Sequence, residues 1–323
     1  VVGVFEEAFP DRVRGYYVRG SYASGTHTAA SDLDLFVVFK DRFHEPAEAE
    51  RAHRVCAACA LLSPVLLEII PVGEHWLGQE QGLTLALNLK RATRLGYGED
   101  IRPALAELTT DAYVRSVVHT PYHSYIYPAQ RQARGCLTFP LRHIDPDGPF
   151  LGYDQFPLPD PDGNPGPSNK LLVASVGWTA TALIALHTGR YVRDKSASAA
   201  LYREHVADEW TPLVTDVYEL CRNRWRYRIP ADPADRRTLR DLCERALGFQ
   251  NHFLDRYRRY LLAELDAGGP DRQRLAATRL GQVVYPGDPE VPAALARLSA
   301  AGHEPAVREA AGAALRRYRS TAD

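Results

Sequence analysis

At 323 residues the chain is long enough for two domains, and 45% hydrophobic with 24% charged residues is an ordinary globular composition. A formal net charge of −1 gives no global pull toward nucleic acid or an anionic membrane. Five cysteines, an odd number, argue against a disulfide framework. The Cys56-x-x-Cys59 pair lies in an apolar helical stretch and reads as buried thiols, not as zinc or redox ligands. The chain has no Met and starts at Val1, so a missing or altered translational start is expected, with no cationic segment ahead of an apolar one at the visible start.

Residues 3–14 read as a short helix kinked or ended by Pro10, and residues 16–19 as a strand delivering Gly20 and Ser21. Ten mostly small residues then lead to Asp32 and to a strand, Asp32-Leu33-Asp34-Leu35, running on through Phe39. Successive strand side chains point to opposite faces, so Asp32 and Asp34 are expected to share one face. Two neighbouring carboxylates repel unless a cation sits between them, and Mg²⁺ takes one or two carboxylates plus substrate phosphates. Backbone N–H groups following Gly20 offer an anion site suited to a triphosphate. Phosphate at one end of the stretch and metal at the other is what a metal–nucleotide complex requires. The bland alternative is an edge strand kept soluble by its acids.

Gly20-Ser21, ten residues, then Asp32-x-Asp34 resembles the signature of the DNA polymerase β-like nucleotidyltransferase superfamily. The local form Ser31-Asp32-Leu33-Asp34-Leu35 is most similar to its small-molecule branch, the aminoglycoside adenylyltransferases.

A charged turn precedes a helix expected over 47–62, with Pro46 near its start, and Ser63-Pro64 ends it. Residues 65–72 read as a strand apolar on both faces except at Glu68. A lone carboxylate in a buried strand is costly unless paired or metal-bound. The resemblance makes Glu68 the third carboxylate of the site; a salt bridge to an Arg is the alternative. Residues 79–94 look helical, and the Gly98-Glu99-Asp100-Ile101-Arg102 element resembles the close of the nucleotidyltransferase domain, with carboxylates expected to cap or pair. His119 and His123 have helical spacing, but Pro121 between them is expected to spoil the helix, which argues against a metal site. Residues 144–169, dense in Pro, Gly and Asp, read as a linker or long loop and a domain boundary.

From residue 170 the pattern is helical. Helices are expected over 171–186, 197–206, 211–227, 233–266, 270–281, 288–301 and 304–320, and the first falls short of a membrane span. The fold class expected is α+β: a small mixed-sheet nucleotidyltransferase domain (1–112), a connecting segment (113–169) and an all-α helical domain (170–323). The segment around Thr188-Gly189 is similar to the Thr-Gly turn of the streptomycin/spectinomycin enzymes. That likeness makes Arg222 and Lys195 candidate triphosphate contacts, with solvated surface charge as the alternative for each, and most of the run Arg222, Arg224, Arg226, Arg228 is expected at the surface. Asp194, Glu204, Asp208 and Glu209 are candidates by position for holding an acceptor's amino groups.

The chemistry implied is transfer of a nucleoside monophosphate, AMP from ATP, to a hydroxyl of a small molecule such as an aminoglycoside, releasing pyrophosphate. Asp32 and Asp34 would hold two Mg²⁺, Glu68 would be metal ligand, general base or both, and Gly20 and Ser21 would cradle the phosphates with support from Ser31. The competing readings are transfer to tRNA or to a protein hydroxyl, a biosynthetic adenylylation, and a non-catalytic nucleotide-binding regulatory module. A cytoplasmic location is the default, with no membrane partner.

Overall fold

The computed structural model describes residues 1–28, 31–79, 82–130, 136–159, 164–300 and 302–320. The chain opens with helix α1 (Val2–Ala8), strand β1 (Val13–Arg19), the short helix α2 (Gly20–Ser24) and strand β2 (Leu33–Phe39). Helix α3 (Pro46–Leu62), strand β3 (Leu67–Gly73), the short α4 (Glu74–Leu77), α5 (Leu83–Ala92), strand β4 (Arg94–Gly98) and α6 (Thr110–Val118) follow. The four strands form one mixed sheet in the order β3-β2-β1-β4. β1 runs antiparallel to β2 and β4, while β2 and β3 are parallel and joined by α3, the long connection that a parallel pair needs.

β2 is buried on both faces, which explains its unbroken apolar run from Leu35 to Phe39. Val37 and Phe39 pack with Phe5, Phe9, Cys56 and Cys59 on one side. Phe36 and Val38 pack with Tyr17, Leu77, Leu89 and Ile101 on the other. Cys56 and Cys59 are core thiols as expected, and burial pushes the Cys56 thiol up to about 11.

The structure corrects two sequence expectations and adds a strand that the sequence did not reveal. β3 is an edge strand, so Glu68 is exposed and not buried in apolar surroundings. Helix α5 is shorter than the 79–94 expected, because Gly82 precedes it and Thr93 turns the chain back into an extended conformation. The Gly96–Gly98 region is then strand β4, where Gly98 at φ +87 passes so near Arg14 that a side chain would meet its carbonyl at 2.7 Å.

Beyond α6 the backbone stays helical through a widened, π-type segment (Pro121–Ile126) into α7 (Tyr127–Gln130). Pro121 stands at the first position of the widened segment, and the backbone continues helical through it, contrary to the break expected from the sequence. Short strands β5 (Leu137–Thr138), β6 (Leu158–Pro159) and β7 (Pro165–Gly166) lie in the following irregular region. That region is packed all the same: Phe150, Leu151, Tyr153 and Leu158 are buried, and the Tyr153 hydroxyl donates to Gln250 Oε1 at 3.0 Å.

Next come α8 (Lys170–Thr188), α9 (Lys195–Leu201), α10 (Thr211–Asp216), α11 (Pro233–Ala267), α12 (Pro270–Gln282), strand β8 (Val283–Val284), α13 (Glu290–Ser299) and α14 (Pro305–Ser320). α8 is longer than expected and does reach membrane-spanning length and apolarity, with a mean hydropathy of 1.5, but 61% of that window is buried in the protein. The expected single helices over 197–206 and 211–227 each begin as an α-helix and end in widened turns, Tyr202–Val206 and Val217–Arg224.

The chain divides into two compact units. One comprises Val1–His119, Leu158–Gly166 and Ala180–Arg228. Within it, Gly189 at φ +67 presses against Thr110, whose methyl would lie 2.3 Å from any β-carbon there. The Val192 N–H donates to the Tyr113 hydroxyl at 3.0 Å, and Arg91 lies over the Tyr191 ring at 5.5 Å. The other unit comprises Thr120–Pro157, Pro167–Thr179 and Ile229–Asp323. There α11 buries a stripe including Leu242, Phe249, Phe253, Tyr257 and Leu261, spaced by three and four residues as a core-facing helix requires. α12 and α14 cross closely at Gly281, where a side chain would collide with Ala314.

Candidate active site

The carboxylates gather at the end of the sheet where β2 begins. Asp34 is the second residue of β2, and the parallel register sets it beside Glu68 of β3. Asp32 precedes β2 by one residue, so it stands at the mouth of the sheet and not within the strand as expected. One oxygen from each of Asp32, Asp34 and Glu68 lies within 4.8 Å of the other two. Among the described residues this is the one such group of acidic, His or Cys ligands.

Asp34 is 9% exposed, while Glu68 is exposed. Burial first, and then the charge of Asp32 and a hydrogen bond and charge shared with Glu68, push the Asp34 carboxyl up to about 7; Arg19 opposes them. Arg19 faces Asp34 across the β1–β2 pair, and its guanidinium lies 5.0 Å over the Phe36 ring. Three clustered hard oxygen donors are the ligands that Mg²⁺ or a similar divalent ion selects, so the residues fit such a metal.

Gly20 closes the site from β1. Its φ of +64 is a left-handed conformation that glycine adopts at low cost, and a β-carbon on it would lie 2.2 Å from Asp34 Oδ2. Ser21 follows in α2, whose end at Gly25 (φ +74) is tied back by the Gly25 N–H donating to the Ser21 carbonyl. The Thr26 N–H donates to the same carbonyl at 2.9 Å. The structure thus brings Gly20 into contact with the carboxylates and folds the loop after Ser21 into a compact turn.

The remaining expected residues divide. Ser31 is buried, and its hydroxyl accepts the Thr28 N–H at 2.9 Å, which ties Thr28 to the residue directly ahead of Asp32. Arg222 is 4% exposed, which overturns the surface alternative for it. It donates to the Thr26 carbonyl at 2.7 Å. Lys195 begins α9 and stands 5.6 Å over the Tyr227 ring. Arg224 and Arg226 are exposed, as expected of that basic run. Asp194 caps α9 by accepting the Ala197 N–H at 2.9 Å, and Asp208 accepts the Tyr202 hydroxyl, so both serve local structure. Glu204 and Glu209 are exposed.

Two participants escaped the sequence reading. Arg19 sits immediately ahead of Gly20, and its position at the end of a strand opposite an acidic strand start was the available signal. Thr26, the acceptor for Arg222, carried no signal, because nothing local reveals a contact between residues 196 apart.

Residues 1–78 match the family model described as nucleotidyltransferase domain. Among solved structures, the chain is similar to spectinomycin adenyltransferase AAD(9) from Enterococcus faecialis, crystallised with ATP and spectinomycin, at 14% identity and a TM-score of 0.41. That match covers 76% of this chain and 96% of the other. No curated protein matches the chain.

Proposed function

We propose that this chain, whose residues 1–78 match a nucleotidyltransferase domain, is an enzyme that transfers AMP from ATP to a hydroxyl of a small acceptor and releases pyrophosphate. The observation that carries the reading is the convergence of Asp32, Asp34 and Glu68 beside the sterically closed Gly20. An in-line displacement at phosphorus asks a protein for positioning and charge neutralisation, with no covalent step of its own. Two divalent ions, when bound by Asp32 and Asp34 with or without Glu68, would supply charge neutralisation at the attacking and leaving oxygens. Gly20 and Ser21 would hold the phosphates at the start of α2, with support from Ser31. Glu68, exposed at the sheet edge, would accept the proton of an acceptor hydroxyl. Lys195 and Arg222 would supply positive charge on the triphosphate side. A cytoplasmic enzyme with a nucleotide and an aminoglycoside-like acceptor as substrates is the corresponding assignment, and a near-neutral chain favours such an acceptor over RNA.

A protein hydroxyl is the second acceptor class. It is favoured by the exposed apolar residues Leu61, Leu62, Val65 and Leu66, which lead directly into the strand bearing Glu68. The test is pyrophosphate release with Mg²⁺ and each of the four nucleoside triphosphates against a panel of aminoglycosides, with Asp32→Asn as blank. Release that depends on one drug and vanishes in the blank supports the small-acceptor reading. Silence across the panel with Mg–ATP still bound removes the aminoglycoside and turns the search to protein acceptors.

A further inference from the structure

We propose that Arg222 is a positioning residue that holds the Gly20–Thr26 turn in shape through Thr26, and does not itself touch the triphosphate. The inference rests on the nucleotidyl-transfer reading above and refines the part played there by Arg222.

The guanidinium is buried, and both of its terminal nitrogens are engaged, while Nε has no hydrogen-bond partner among the described residues. One terminal nitrogen donates to the Thr26 carbonyl at 2.7 Å and reaches Thr26 Oγ1 at 3.4 Å. The other donates to Asn223 Oδ1 at 2.9 Å, and the guanidinium lies 5.3 Å over the Tyr218 ring. Burying a cation is costly, and the shortest bond that offsets the cost here is to a loop carbonyl 196 residues away.

Thr26 passes that constraint back toward the site. Its N–H donates to the Ser21 carbonyl at 2.9 Å, and its hydroxyl lies 2.8 Å from that of Ser24. The Ser24 hydroxyl in turn donates to the Ser21 carbonyl at 3.3 Å. A continuous chain of hydrogen bonds therefore runs from Arg222 through Thr26 to Ser21, the neighbour of the Gly20 that abuts Asp34.

The geometry of the donor segment fits this role. Arg222 lies in the widened segment Val217–Arg224, where the Trp225 N–H bonds back five residues to the Leu220 carbonyl at 2.8 Å. Such widening changes where the side chains point relative to an α-helix and recurs at functional sites. The segment then ends on Arg226 and Tyr227, both at positive φ (50 and 65), which non-glycine residues adopt only when their surroundings enforce it. Tyr227 is buried under Lys195, so the strained end is pinned. A surface arginine would need none of these features.

The test compares Arg222→Gln, Arg222→Lys and the wild-type full chain by amide hydrogen exchange without ligand, followed by ATP kinetics with the acceptor found above. In unliganded Arg222→Gln the Gly25 and Thr26 amides should exchange about tenfold faster or more, as loss of a charge-assisted hydrogen bond predicts, while the β2 amides stay unchanged. KM for ATP should rise with kcat held within about threefold, and Arg222→Lys should recover part of the loss. Unchanged Gly25 and Thr26 exchange alongside weakened ATP binding would overturn the proposal in favour of direct phosphate contact. Faster exchange throughout β1 and β2 would overturn it in favour of a general packing role. Should the wild type form no product with any nucleotide, the transfer reading falls, and the exchange data alone decide whether Arg222 holds the turn.

Discussion

Gly20 and Asp34 are in such close approach that no side chain fits between them: a β-carbon on Gly20 would stand 2.2 Å from Asp34 Oδ2. Gly20 ends β1's run into α2, and Asp34 belongs to the adjacent strand, so the first phosphate-side residue and the central carboxylate are one packed unit.

Gly20→Ala is therefore expected to be severe. It adds the left-handed cost of about 1–2 kcal/mol for a residue with a β-carbon, and it also displaces the Asp34 carboxylate. Titration calorimetry should find Mg–ATP affinity reduced by about tenfold or more, with the fold retained by circular dichroism. Affinity equal to wild type would mean that the contact does not shape the site.

The raised Asp34 carboxyl makes a prediction about metal-free protein. Its folded value of about 7 lies above its ordinary 3.8, so the folded chain keeps a proton that the unfolded chain releases. No penalty exists below about pH 4; it grows as pH rises and is complete above about pH 7, on the order of 4 kcal/mol at 1.36 kcal/mol per unit. In a chelator, Asp34→Asn should melt higher than wild type at pH 8 and alike at pH 4. Saturating Mg²⁺ should erase the wild-type deficit at pH 8. Identical melting of the two proteins at pH 8 would show that the carboxylate cluster carries no such strain.

Asp32→Asn and Glu68→Gln separate metal holding from proton transfer. Asp32→Asn should lower turnover by about 10³-fold or more and weaken the Mg²⁺ dependence. Glu68→Gln should bind Mg–ATP with near wild-type affinity and lose about 10²–10⁴-fold in kcat, the usual worth of a general base. Turnover surviving in Glu68→Gln would leave Glu68 without that role.

A stability prediction concerns the attachment of residues 180–228 to the sheet-bearing part of their unit. Tyr113→Phe removes the acceptor of the buried Val192 N–H and should cost about 1–3 kcal/mol, read as a fall in denaturation midpoint at unchanged slope. A neutral effect would mean that water replaces the hydroxyl.

Much of this was legible in the sequence where the signal is local. The apolar run after Asp34, the Ser63-Pro64 break, the Pro-marked helix starts and the long stripe of α11 each report on a few neighbouring residues, and the elements formed where those signals lie. Glu68 was singled out correctly as one of the three converging carboxylates, but for a burial it does not have: strand order decides exposure, and β3 lies at the edge. β4 went unread because Arg94-Leu95-Gly96-Tyr97-Gly98 has little strand character of its own, and its pairing partner β1 supplies the reason it is extended. The widened turns at Tyr202–Val206 and Val217–Arg224 were likewise invisible, since their hydrophobic spacing differs little from that of an α-helix.

By itself the sequence determined the carboxylate pair, the Gly-Ser turn and their spacing, because two acids one residue apart and glycine's backbone freedom act over a few residues. Only the tertiary structure decided that Asp34 is buried while Glu68 meets solvent, that Gly20 abuts Asp34, and that Arg222 is a buried donor to Thr26. Those outcomes depend on which strand lies at the sheet edge and which distant helix closes over a loop, and a residue's own neighbours in the chain carry no record of either.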